Sequence, residues 1–437
     1  MAHEASGLTI ALVALHTDPM AVPGAGEAGG LNVYLLNSAK ELARLGHRIH
    51  IVTRKDRREL PEVEPIFDGV TAHYLEAGPR EPVSKSDSER LIEPFESALD
   101  TWVQHSQVDI IHSHHWFAGV AAIPVANRHA IPHIQSYHSL AAPAGAGWEA
   151  GEKAESPGRI VGERQIAATS DLIIAVSEFE KNLIVSRYNA DPANIAVASP
   201  GVDHVTFAPI SEKETKPGHA GHRNSGASSA RADGVQERVK GAEPSGANIP
   251  AEVSEPTIVF AGRIHPLKGA DLVVRALSLM NPDSRPKLII SGEPASGYDD
   301  YLDEVRTLVT HLGTGLKVEF RPSLTREGLA ELIGRSLFLI NPSHLETYGI
   351  INVEAAACGV PVIATKTGGM VESVLDRQTG YLIDSRDPTE WARTMESLAH
   401  DPARRAELGA AGRRFALTRG WDNVARELTA IYLGEAG

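Results

Sequence analysis

The chain of 437 residues has almost no cysteine, no long apolar segment and no excess of positive charge. Its single cysteine, Cys358, excludes an internal disulfide and is typical of a protein from a reducing cytosol. A formal net charge of −14 argues against nucleic acid or an anionic membrane as a partner, because no basic field would attract a polyanion. Small anionic substrates are still allowed, since they need only a local basic pocket.

No apolar run approaches the roughly 18 residues that a membrane span needs. The run "LTIALVAL" at residues 8–15 is short, lacks a basic leader and is followed by His16 and Asp18, so it predicts a buried strand and not a signal peptide. We therefore expect a cytoplasmic protein. The chain also contains no D-x-D pair, which disfavours a diphosphate bridged by a metal ion and leaves that task to cationic side chains.

Length and patterning predict two α/β domains. Short runs rich in Ile and Val alternate with amphipathic stretches, which indicates doubly wound parallel sheets with helices on both faces. The runs of the first half are "LTIALVAL", "HRIHIVTR", "VDIIHSH", "IPHIQSYH", "SDLIIAVS" and "NIAVASPG". Those of the second half are "PTIVFAGR", "PKLIISGEP", "KVEFRPS", "LFLINPS", "PVIATKTGG" and "TGYLID". Binding groups should cluster at the carboxyl ends of these strands.

The domain boundaries follow from a break in this alternation. Residues 211–255 contain no aromatic residue and few aliphatic ones, so they predict a disordered low-complexity insert. We expect an N-terminal Rossmann-like domain at 1–210 and a C-terminal one at 256–415. The last segment, 416–437, is expected to be a helix that packs back toward the N-terminal domain.

A glycine-rich stretch, "PGAGEAGGLNVYLL", follows the first strand and opens a helix. The backbone N–H groups of Gly29 and Gly30 could face an anion there, although a plain turn would have the same composition. The next strand ends in Thr53 and Arg54 and not in an acidic residue, which disfavours a nicotinamide dinucleotide site.

The stretch "FAGRIHPLKGAD" places Arg263 and Lys268 in a strand-to-helix loop of the second domain. They could be two solvated loop cations. At the carboxyl end of a parallel strand, however, a guanidinium fork and an ammonium point charge suit a diphosphate clamp.

The stretch "HLETYGIINVEA" places Glu346 in a turn and Glu354 inside a helix, and no Lys or Arg lies between Pro342 and Thr365. Glu346 could simply cap the helix. A carboxylate among alanines is costly unless it binds something, and carboxylates accept hydrogen bonds from vicinal hydroxyls. One glutamate for a sugar and one for a ribose is a coherent pairing.

Histidines end several predicted strands. "IIHSHHWFAG" carries His112, His114 and His115, and an H-x-H-H pattern could bind zinc, but no carboxylate or cysteine partner is evident nearby. For His112 and His114 a structural role is the better interpretation. His16 and His138 are expected to donate hydrogen bonds to hydroxyls or phosphate.

Taken together, these residues resemble the retaining GT-B glycosyltransferases of family 4. The resemblance rests on Glu346 and Glu354, on Arg263 and Lys268, on "PGVDHVTFAP" at 200–209 and on the glycine loop, and it covers nearly the whole chain except the insert. It implies two Rossmann-like domains facing a cleft, a nucleotide-sugar held mainly by the C-terminal domain, and a final helix, "WDNVARELTAIYLG", that crosses back.

Within that family, "HTDPMAVPGAGEAGGLNVYLL" and "AGPREPVSK" are similar to the members that begin mycothiol synthesis. This similarity implies transfer of N-acetylglucosamine from UDP-GlcNAc to 1D-myo-inositol 3-phosphate. The implied catalytic residues are His138, Arg263, Lys268 and Glu346. The implied donor-binding residues are Gly29, Gly30, Arg263, Lys268, Leu324, Glu346 and Glu354. The implied acceptor-binding residues are His16, Val22, Pro23, Glu27, Ala28, Gly29, Gly30, Leu31, Asn32, Lys85, His115, Ser139 and Arg159.

The resemblance also implies that the chemistry needs no cofactor, that a non-catalytic Mg²⁺ could bind backbone groups at Val360, and that the protein is a homodimer. Three alternatives stay open. The enzyme could be another family 4 hexosyltransferase, similar to sucrose-phosphate synthase or using GDP-mannose. It could be a nucleotide-sugar 2-epimerase, which would release UDP without an added acceptor. It could be a binding module without catalysis, although the complete set of site residues argues against that.

Overall fold

The protein divides into two compact units. The structure is a computed structural model that describes residues 7–24, 28–141, 158–211, 255–313 and 315–435, so Glu27 and nearly all of the insert expected at 211–255 lie outside the described residues. The first unit comprises Met1–Gly201, Leu345–Tyr348 and Trp421–Gly437. The second comprises Val202–His344 and Gly349–Gly420.

Two of the expected boundaries differ from those of the structure. The segment after Gly201 groups with the second unit, because the Val202 N–H donates to the Arg419 carbonyl at 2.8 Å and Arg413 donates to the Phe207 carbonyl at 3.2 Å. The first boundary therefore precedes the expected one at 210. The final helix begins at Trp421, later than the expected 416, because the preceding helix continues to Leu417.

The first unit is built on an eight-stranded sheet of order β3-β4-β2-β1-β5-β6-β7-β8. The strands pair in parallel except for the β3–β4 hairpin, which the sequence analysis missed because Glu64 and Pro65 interrupt its apolar pattern. The strands are β1 (Thr9–Ala14), β2 (Arg48–Arg54), β3 (Val63–Phe67), β4 (Val70–Leu75), β5 (Ile110–His114), β6 (His133–Ser136), β7 (Leu172–Ala175) and β8 (Ile195–Val197).

Helices flank this sheet, and the last of them comes from the end of the chain. The helices are α1 (Gly30–Arg44), a 3-10 helix (Lys85–Leu91), α2 (Ile92–Gln104), α3 (Trp116–His129), α4 (Arg159–Thr169), α5 (Glu178–Tyr188) and α13 (Trp421–Tyr432). The final helix packs on α1, where the Trp421 ring meets the Tyr34 ring edge-on at 5.7 Å.

The second unit is built on a six-stranded parallel sheet of order β11-β10-β9-β12-β13-β14. Its strands are β9 (Thr257–Ala261), β10 (Lys287–Ser291), β11 (Val318–Arg321), β12 (Leu339–Asn341), β13 (Val362–Thr365) and β14 (Gly380–Ile383). Its helices are α6 (Ala270–Leu279), α7 (Asp299–His311), α8 (Arg326–Gly334), α9 (Ile350–Ala357), α10 (Met370–Ser373), α11 (Pro388–His400) and α12 (Pro402–Leu417). The two doubly wound α/β domains expected from the sequence are confirmed.

Apolar strands buried on both faces explain why these sheets form. The core of the first unit includes Val13 and Ile111 from neighbouring strands, packed against Phe117 of α3. In the second unit Ile258, Leu288 and Trp391 have the same role. Continuous Val and Ile runs are favoured where helices cover both faces of a sheet. Among the described residues, no helix combines the length and the hydropathy required to cross a bilayer.

Each sheet has a point where its strand order reverses. In the first sheet β1 is flanked by β2 and β5, and in the second β9 is flanked by β10 and β12. The loops that leave β1 and β5, or β9 and β12, run to opposite sides and leave a crevice at the carboxyl ends of the strands. Ligand-binding groups are therefore expected in four loops, two in each unit.

Candidate functional site

The reversal point of the first sheet brings His16 and His115 together. His16 follows β1 and His115 follows β5, and their ring centroids are 4.1 Å apart. His115 has φ of +72°, an uncommon conformation for a residue other than glycine, and immediately precedes α3. The backbone therefore directs both imidazoles to the edge where the sequence predicted acceptor contacts.

The other histidines of β5 are structural. His112 is fully buried, with Nδ1 2.8 Å from the Tyr432 hydroxyl and Nε2 2.9 Å from the Ser136 hydroxyl. His114 is 1 % exposed, and its Nδ1 lies 2.8 Å from Nε2 of His138. Burial lowers the pKa of both side chains well below the usual histidine value, so both rings are neutral. Among the described residues, no cluster of three or more His, Cys, Asp or Glu could hold a metal ion.

His138 and Glu346 lie close together within the first unit. His138 follows β6 with φ of +59°, and burial lowers its pKa to about 3. Its carbonyl accepts a hydrogen bond of 3.0 Å from the Thr347 hydroxyl. Because Glu346 precedes Thr347, this bond brings together two residues that the sequence predicted to be catalytic.

The start of α1 differs from the prediction in one respect. The Gly29 N–H donates to Oδ1 of Asn32 at 3.0 Å, so it does not face an anion. The Asn32 amide donates in turn to the Asp18 carbonyl at 2.8 Å, and Asn32 is fully buried. The Asn32 side chain thus connects the start of α1 to the loop after β1 through two hydrogen bonds. Gly30 and Leu31 are the first residues of the helix, where backbone N–H groups have no intrahelical acceptor.

Two backbone hydrogen bonds order the described residues of this loop. The Gly24 N–H donates to the Ala28 carbonyl at 3.0 Å, and the Ala21 N–H donates to the Asp18 carbonyl at 2.9 Å. Val22 and Pro23 are half-buried in this loop, whereas Ala28 is buried. The first of these bonds places Gly24 next to Ala28, immediately before the start of α1.

Ser139 and Arg159, both among the implied acceptor-binding residues, lie in direct contact. The Arg159 guanidinium is 4 % exposed, and its Nη2 donates to the Ser139 hydroxyl at 3.2 Å. Its Nε donates to Glu163 at 2.8 Å, one turn further along α4. Gly158, just before Arg159, lies against the Glu89 side chain of the 3-10 helix that begins at Lys85. Lys85, another implied acceptor-binding residue, is the first residue of that 3-10 helix.

The reversal point of the second sheet carries Arg263 and Lys268. Both are half-buried in the loop from β9 to α6, as the sequence predicted. Gly269 ends this loop with φ of +69°, and a Cβ there would lie 2.7 Å from the Pro342 carbonyl. The His344 N–H donates to the Leu267 carbonyl at 2.7 Å. The loops after β9 and β12 are therefore fastened together, and both flank the crevice.

Glu354 has a partner that the sequence analysis missed. It is 2 % exposed in α9 and forms an ion pair with Arg326, the first residue of α8. The Arg326 guanidinium lies 4.6 Å from the centroid of the Phe207 ring. Burial raises the pKa of Glu354, and the charge of Arg326 opposes that rise. The absence of Lys or Arg near Glu354 in the sequence hid this partner.

Two further predicted residues flank α8 and α9. Leu324 is half-buried, one residue before the Thr325 hydroxyl that caps α8. Val360, predicted to hold Mg²⁺ through its backbone, lies in the turn between α9 and β13 and donates its N–H to the Ala355 carbonyl at 3.0 Å.

Sequence reasoning also missed two buried glutamates of the first unit. Glu163 accepts from the Ala141 N–H at 3.0 Å in addition to its contact with Arg159. Glu180 accepts from the Val176 N–H at 2.7 Å, and burial raises its pKa to about 7. The signal that could have found Glu180 is "SEFE", a Ser followed three residues later by Glu, which is the pattern of a helix start.

Ser177 links that helix start to the segment that carries Glu346. Its hydroxyl accepts from the Glu180 N–H at 3.0 Å and donates to the Thr347 carbonyl at 2.6 Å. Thr347 is therefore held at two points, by Ser177 and by the His138 carbonyl.

Comparison with known proteins shows similarity to glycosyltransferases along nearly the whole chain. The model of "Glycosyltransferase Family 4" matches residues 28–205, and that of "Glycosyl transferases group 1" matches residues 246–415. A D-inositol 3-phosphate glycosyltransferase of Kineococcus radiotolerans is 33 % identical, over 99 % of this chain and 96 % of the relative. One of Stackebrandtia nassauensis is 34 % identical, over 97 % of this chain and 90 % of the relative.

Solved structures share the fold. A sucrose-phosphate synthase of Thermosynechococcus elongatus superposes with a TM-score of 0.82 at 23 % identity, covering 98 % of each chain. HepE of Anabaena in complex with UDP and glucose gives a TM-score of 0.72 at 17 % identity, covering 98 % of this chain and all of that one. On the strength of the near full-length relatives and the two family models, the chain belongs to the family 4 glycosyltransferases with the GT-B fold and is a glycosyl-transferring enzyme.

Proposed function

We propose that the enzyme transfers N-acetylglucosamine from UDP-GlcNAc to 1D-myo-inositol 3-phosphate with retention of configuration, as the first step of mycothiol synthesis. The observation that carries this proposal is the buried Arg159 guanidinium bonded to the Ser139 hydroxyl at the start of α4. The names of the relatives at about 33 % identity support the same acceptor.

Three features of the site around Arg159 and Ser139 are suited to binding a phosphate monoester. A guanidinium offers paired N–H donors that match phosphate oxygens, and the hydroxyl of Ser139 adds a further donor. The start of α4, an 11-residue helix, contributes the positive end of its dipole. The Glu163 carboxylate fixes Arg159 in place from the opposite side. Lys85 would add the positive charge of its ammonium group as a further contact to the phosphate.

The diphosphate and the ribose of the donor are assigned to the second unit, where Arg263 and Lys268 would hold the diphosphate at the carboxyl end of β9 and Glu354 the ribose. Glu346, which groups with the first unit, would hold the hydroxyls of the sugar. HepE, which shares the fold, was solved with UDP and glucose, and this supports a uridine nucleotide.

The transfer needs one bond to form as another breaks. The acceptor hydroxyl oxygen attacks the anomeric carbon on the face that the diphosphate leaves, and its proton passes to the departing phosphate oxygen. The sugar is oxocarbenium-like in between, and negative charge grows on the diphosphate. Arg263 and Lys268 stabilise that charge, a contribution of several kcal/mol in a preorganised site. No carboxylate nucleophile is required.

Two accessory features belong to the proposal. The cationic side chains make a metal ion unnecessary for the chemistry, so a Mg²⁺ at the Val360 backbone would be structural, and EDTA should leave turnover unchanged. A homodimer is also proposed, which light scattering on the purified protein would test.

A second candidate is another hexosyl transfer of family 4. The sucrose-phosphate synthase with a TM-score of 0.82 favours it, because that name also implies a phosphorylated product. A GDP-mannose donor and a 2-epimerase reaction are the remaining alternatives.

The deciding experiment is a mass-spectrometric assay of the purified protein. UDP-GlcNAc, UDP-glucose and GDP-mannose are each supplied with inositol 3-phosphate, with fructose 6-phosphate or with no acceptor. We expect a GlcNAc–inositol phosphate product and UDP release only when inositol 3-phosphate is present. A sucrose phosphate or mannosyl product would replace the proposal with the second candidate, and UDP release without an acceptor would favour the epimerase.

A further inference from the structure

His138 has its Nε2 occupied by another imidazole. The Nε2 of His138 lies 2.8 Å from Nδ1 of His114. The centroids of the two rings are 5.1 Å apart, and their planes are nearly parallel, with an interplanar angle of 19°. The edge of the Tyr34 ring packs on His138 at 5.1 Å. The ring of His138 is therefore fixed in place, and Nδ1 is the nitrogen that it can offer to a ligand.

The hydrogen bond between the two imidazoles contains one proton. Burial lowers the pKa of both side chains below the usual histidine value, so each ring is neutral and carries a single N–H. Either His114 donates from Nδ1 to His138, or His138 donates from Nε2 to His114. The choice decides which nitrogen of His138 holds its proton.

The surroundings of His114 distinguish the two arrangements. Its Nε2 is buried and has no hydrogen-bond partner among the described residues. If His138 donated, the proton of His114 would sit on this Nε2 as a buried N–H without an acceptor. If His114 donates, the same Nε2 is a bare lone pair. Buried N–H groups without an acceptor are rarer and cost more free energy than buried lone pairs without a donor. The arrangement in which His114 donates to His138 is therefore favoured.

We propose that His114 is a positioning residue that fixes His138 as the Nδ1–H tautomer. His138 then presents a hydrogen-bond donor and not an acceptor to its ligand. The matching ligand group is an oxygen with a free lone pair, such as a hydroxyl or amide oxygen of the transferred sugar. The assignment to the sugar rests on the proposed function, whereas the tautomer is a property of the free protein.

The backbone carbonyl of His138 is fixed by residues other than His114. It accepts the Thr347 hydroxyl, and Thr347 is held by Ser177. The side chain and the backbone of His138 are thus positioned by separate partners, so loss of His114 should disturb the ring and leave the Glu346 segment in place.

The test is ¹⁵N NMR of the histidine side chains of the full-length protein without substrate, combined with steady-state kinetics. His114→Asn keeps an N–H near the position of Nδ1, and His114→Phe removes it. His133→Phe is the matched control, because His133 is another buried histidine of the same sheet, bonded to Ser113 at 2.9 Å and not to His138. His138→Gln assigns the His138 signals.

We expect His138 to be protonated on Nδ1 in the wild type and in His114→Asn, and to populate both tautomers in His114→Phe. The last variant should lose about tenfold in kcat while KM for the acceptor changes little, as for the loss of one oriented hydrogen bond. His133→Phe should keep the wild-type tautomer. If His114→Phe fails to fold, the wild-type and His114→Asn spectra still decide the question.

A proton on Nε2 of His138 in the wild type would overturn the proposal, and so would an unchanged tautomer in folded His114→Phe. These outcomes are read without substrate. A wrong donor or acceptor assignment would instead appear in the mass-spectrometric assay, so the two failures are distinguishable.

Discussion

At the scale of single residues, the ion pair of Arg326 and Glu354 compensates a buried charge. Glu354 is almost completely buried, and an unpaired carboxylate in that position would lose its hydration without compensation. Arg326 supplies a compensating charge while stacking on Phe207. Because the pair fixes the carboxylate, the ribose contact proposed for Glu354 would have a single orientation.

Arg326→Ala should lower the free energy of unfolding by about 3 kcal/mol, since it leaves a buried charge without a partner. Adding Glu354→Gln should restore part of that loss. The measurement is urea denaturation followed by circular dichroism. Arg306→Ala is the control, because its pair with Asp303 is exposed and should be worth less than about 1 kcal/mol. Equal losses for both arginine variants would contradict the account.

Lys85→Ala should raise KM for inositol 3-phosphate at least about tenfold and leave KM for the donor unchanged, because it removes one charge-assisted contact to the acceptor phosphate. Lys40→Ala is the control, since Lys40 lies on α1 over the Phe67 ring. Steady-state kinetics with each substrate varied separately would measure both. If Lys85→Ala left acceptor usage intact, the acceptor assignment would fail.

Residue types could be predicted from the sequence, but the partners of buried charges could not. Arg263 and Lys268 lie in the expected loop, and Ser139 and Arg159, both implied as acceptor-binding residues, are hydrogen-bonded to each other. Arg326 is distant from Glu354 along the chain, so no local pattern indicated the pair. The Gly29 N–H could not be assigned to Asn32 without the loop conformation.

At the scale of elements, the loop from β9 to α6 depends on one glycine. Gly269 has φ of +69° and lies against the Pro342 carbonyl and the Arg386 guanidinium. Both features oppose a side chain there. This close approach fastens the loop that carries Arg263 and Lys268 to the loop after β12.

Gly269→Ala should cost about 2 kcal/mol of stability and lower kcat, because the new methyl group displaces the loop next to Lys268. Gly313→Ala is a matched control, since Gly313 also has positive φ, +96°, but open space around it. Thermal denaturation and kinetics of both variants separate the backbone strain from the collision. A kcat of Gly269→Ala equal to that of Gly313→Ala would contradict this role of the loop.

The sequence predicted most strands because buried parallel strands are continuous apolar runs. It missed the β3–β4 hairpin, because Glu64 and Pro65 interrupt the apolar pattern of β3. It also could not show that Leu345–Tyr348 groups with the first unit, because that depends on the hydrogen bonds of Thr347 to His138 and Ser177.

At the scale of the whole molecule, neutral histidines link stability to pH. Burial lowers the pKa of eight of the described histidines. The pKa falls to about 4 for His73 and His133 and to about 3 for His138. It lies well below the usual value for His112 and His114, and it is also lowered for His47, His50 and His344. Above pH 6.5 these groups are neutral in the folded and the unfolded chain, so their contribution is fully present. Below pH 6.5 the unfolded chain binds more protons, and stability is lost as the pH falls.

Glu180 acts in the opposite direction. Its folded pKa of about 7 exceeds the ordinary value of 4.5, so its contribution is present at low pH and is lost as the pH rises through that interval. Burial also raises the pKa of Asp56 and Glu354, so three carboxyl groups act in this direction. The eight histidines outweigh them between pH 6.5 and 4.

The free energy of unfolding should therefore fall steeply between pH 6.5 and 4. A histidine shifted to about 4 contributes about 3 kcal/mol over that interval. His133→Asn should flatten the dependence by one such group. Urea denaturation at half-unit pH steps would show this, and equal stability at pH 7 and pH 5 would contradict it.

The central claim is that the cations after β9 stabilise the charge on the departing diphosphate. The most direct measurement is the single-turnover rate of Lys268→Ala with saturating donor and acceptor. Lys317→Ala is the control, because Lys317 precedes β11 at the opposite edge of the same sheet and pairs with Glu255. We predict a rate lower by about 100-fold or more for Lys268→Ala, with an unchanged fold and a wild-type rate for Lys317→Ala. A Lys268→Ala rate within about twofold of the wild type would contradict the account.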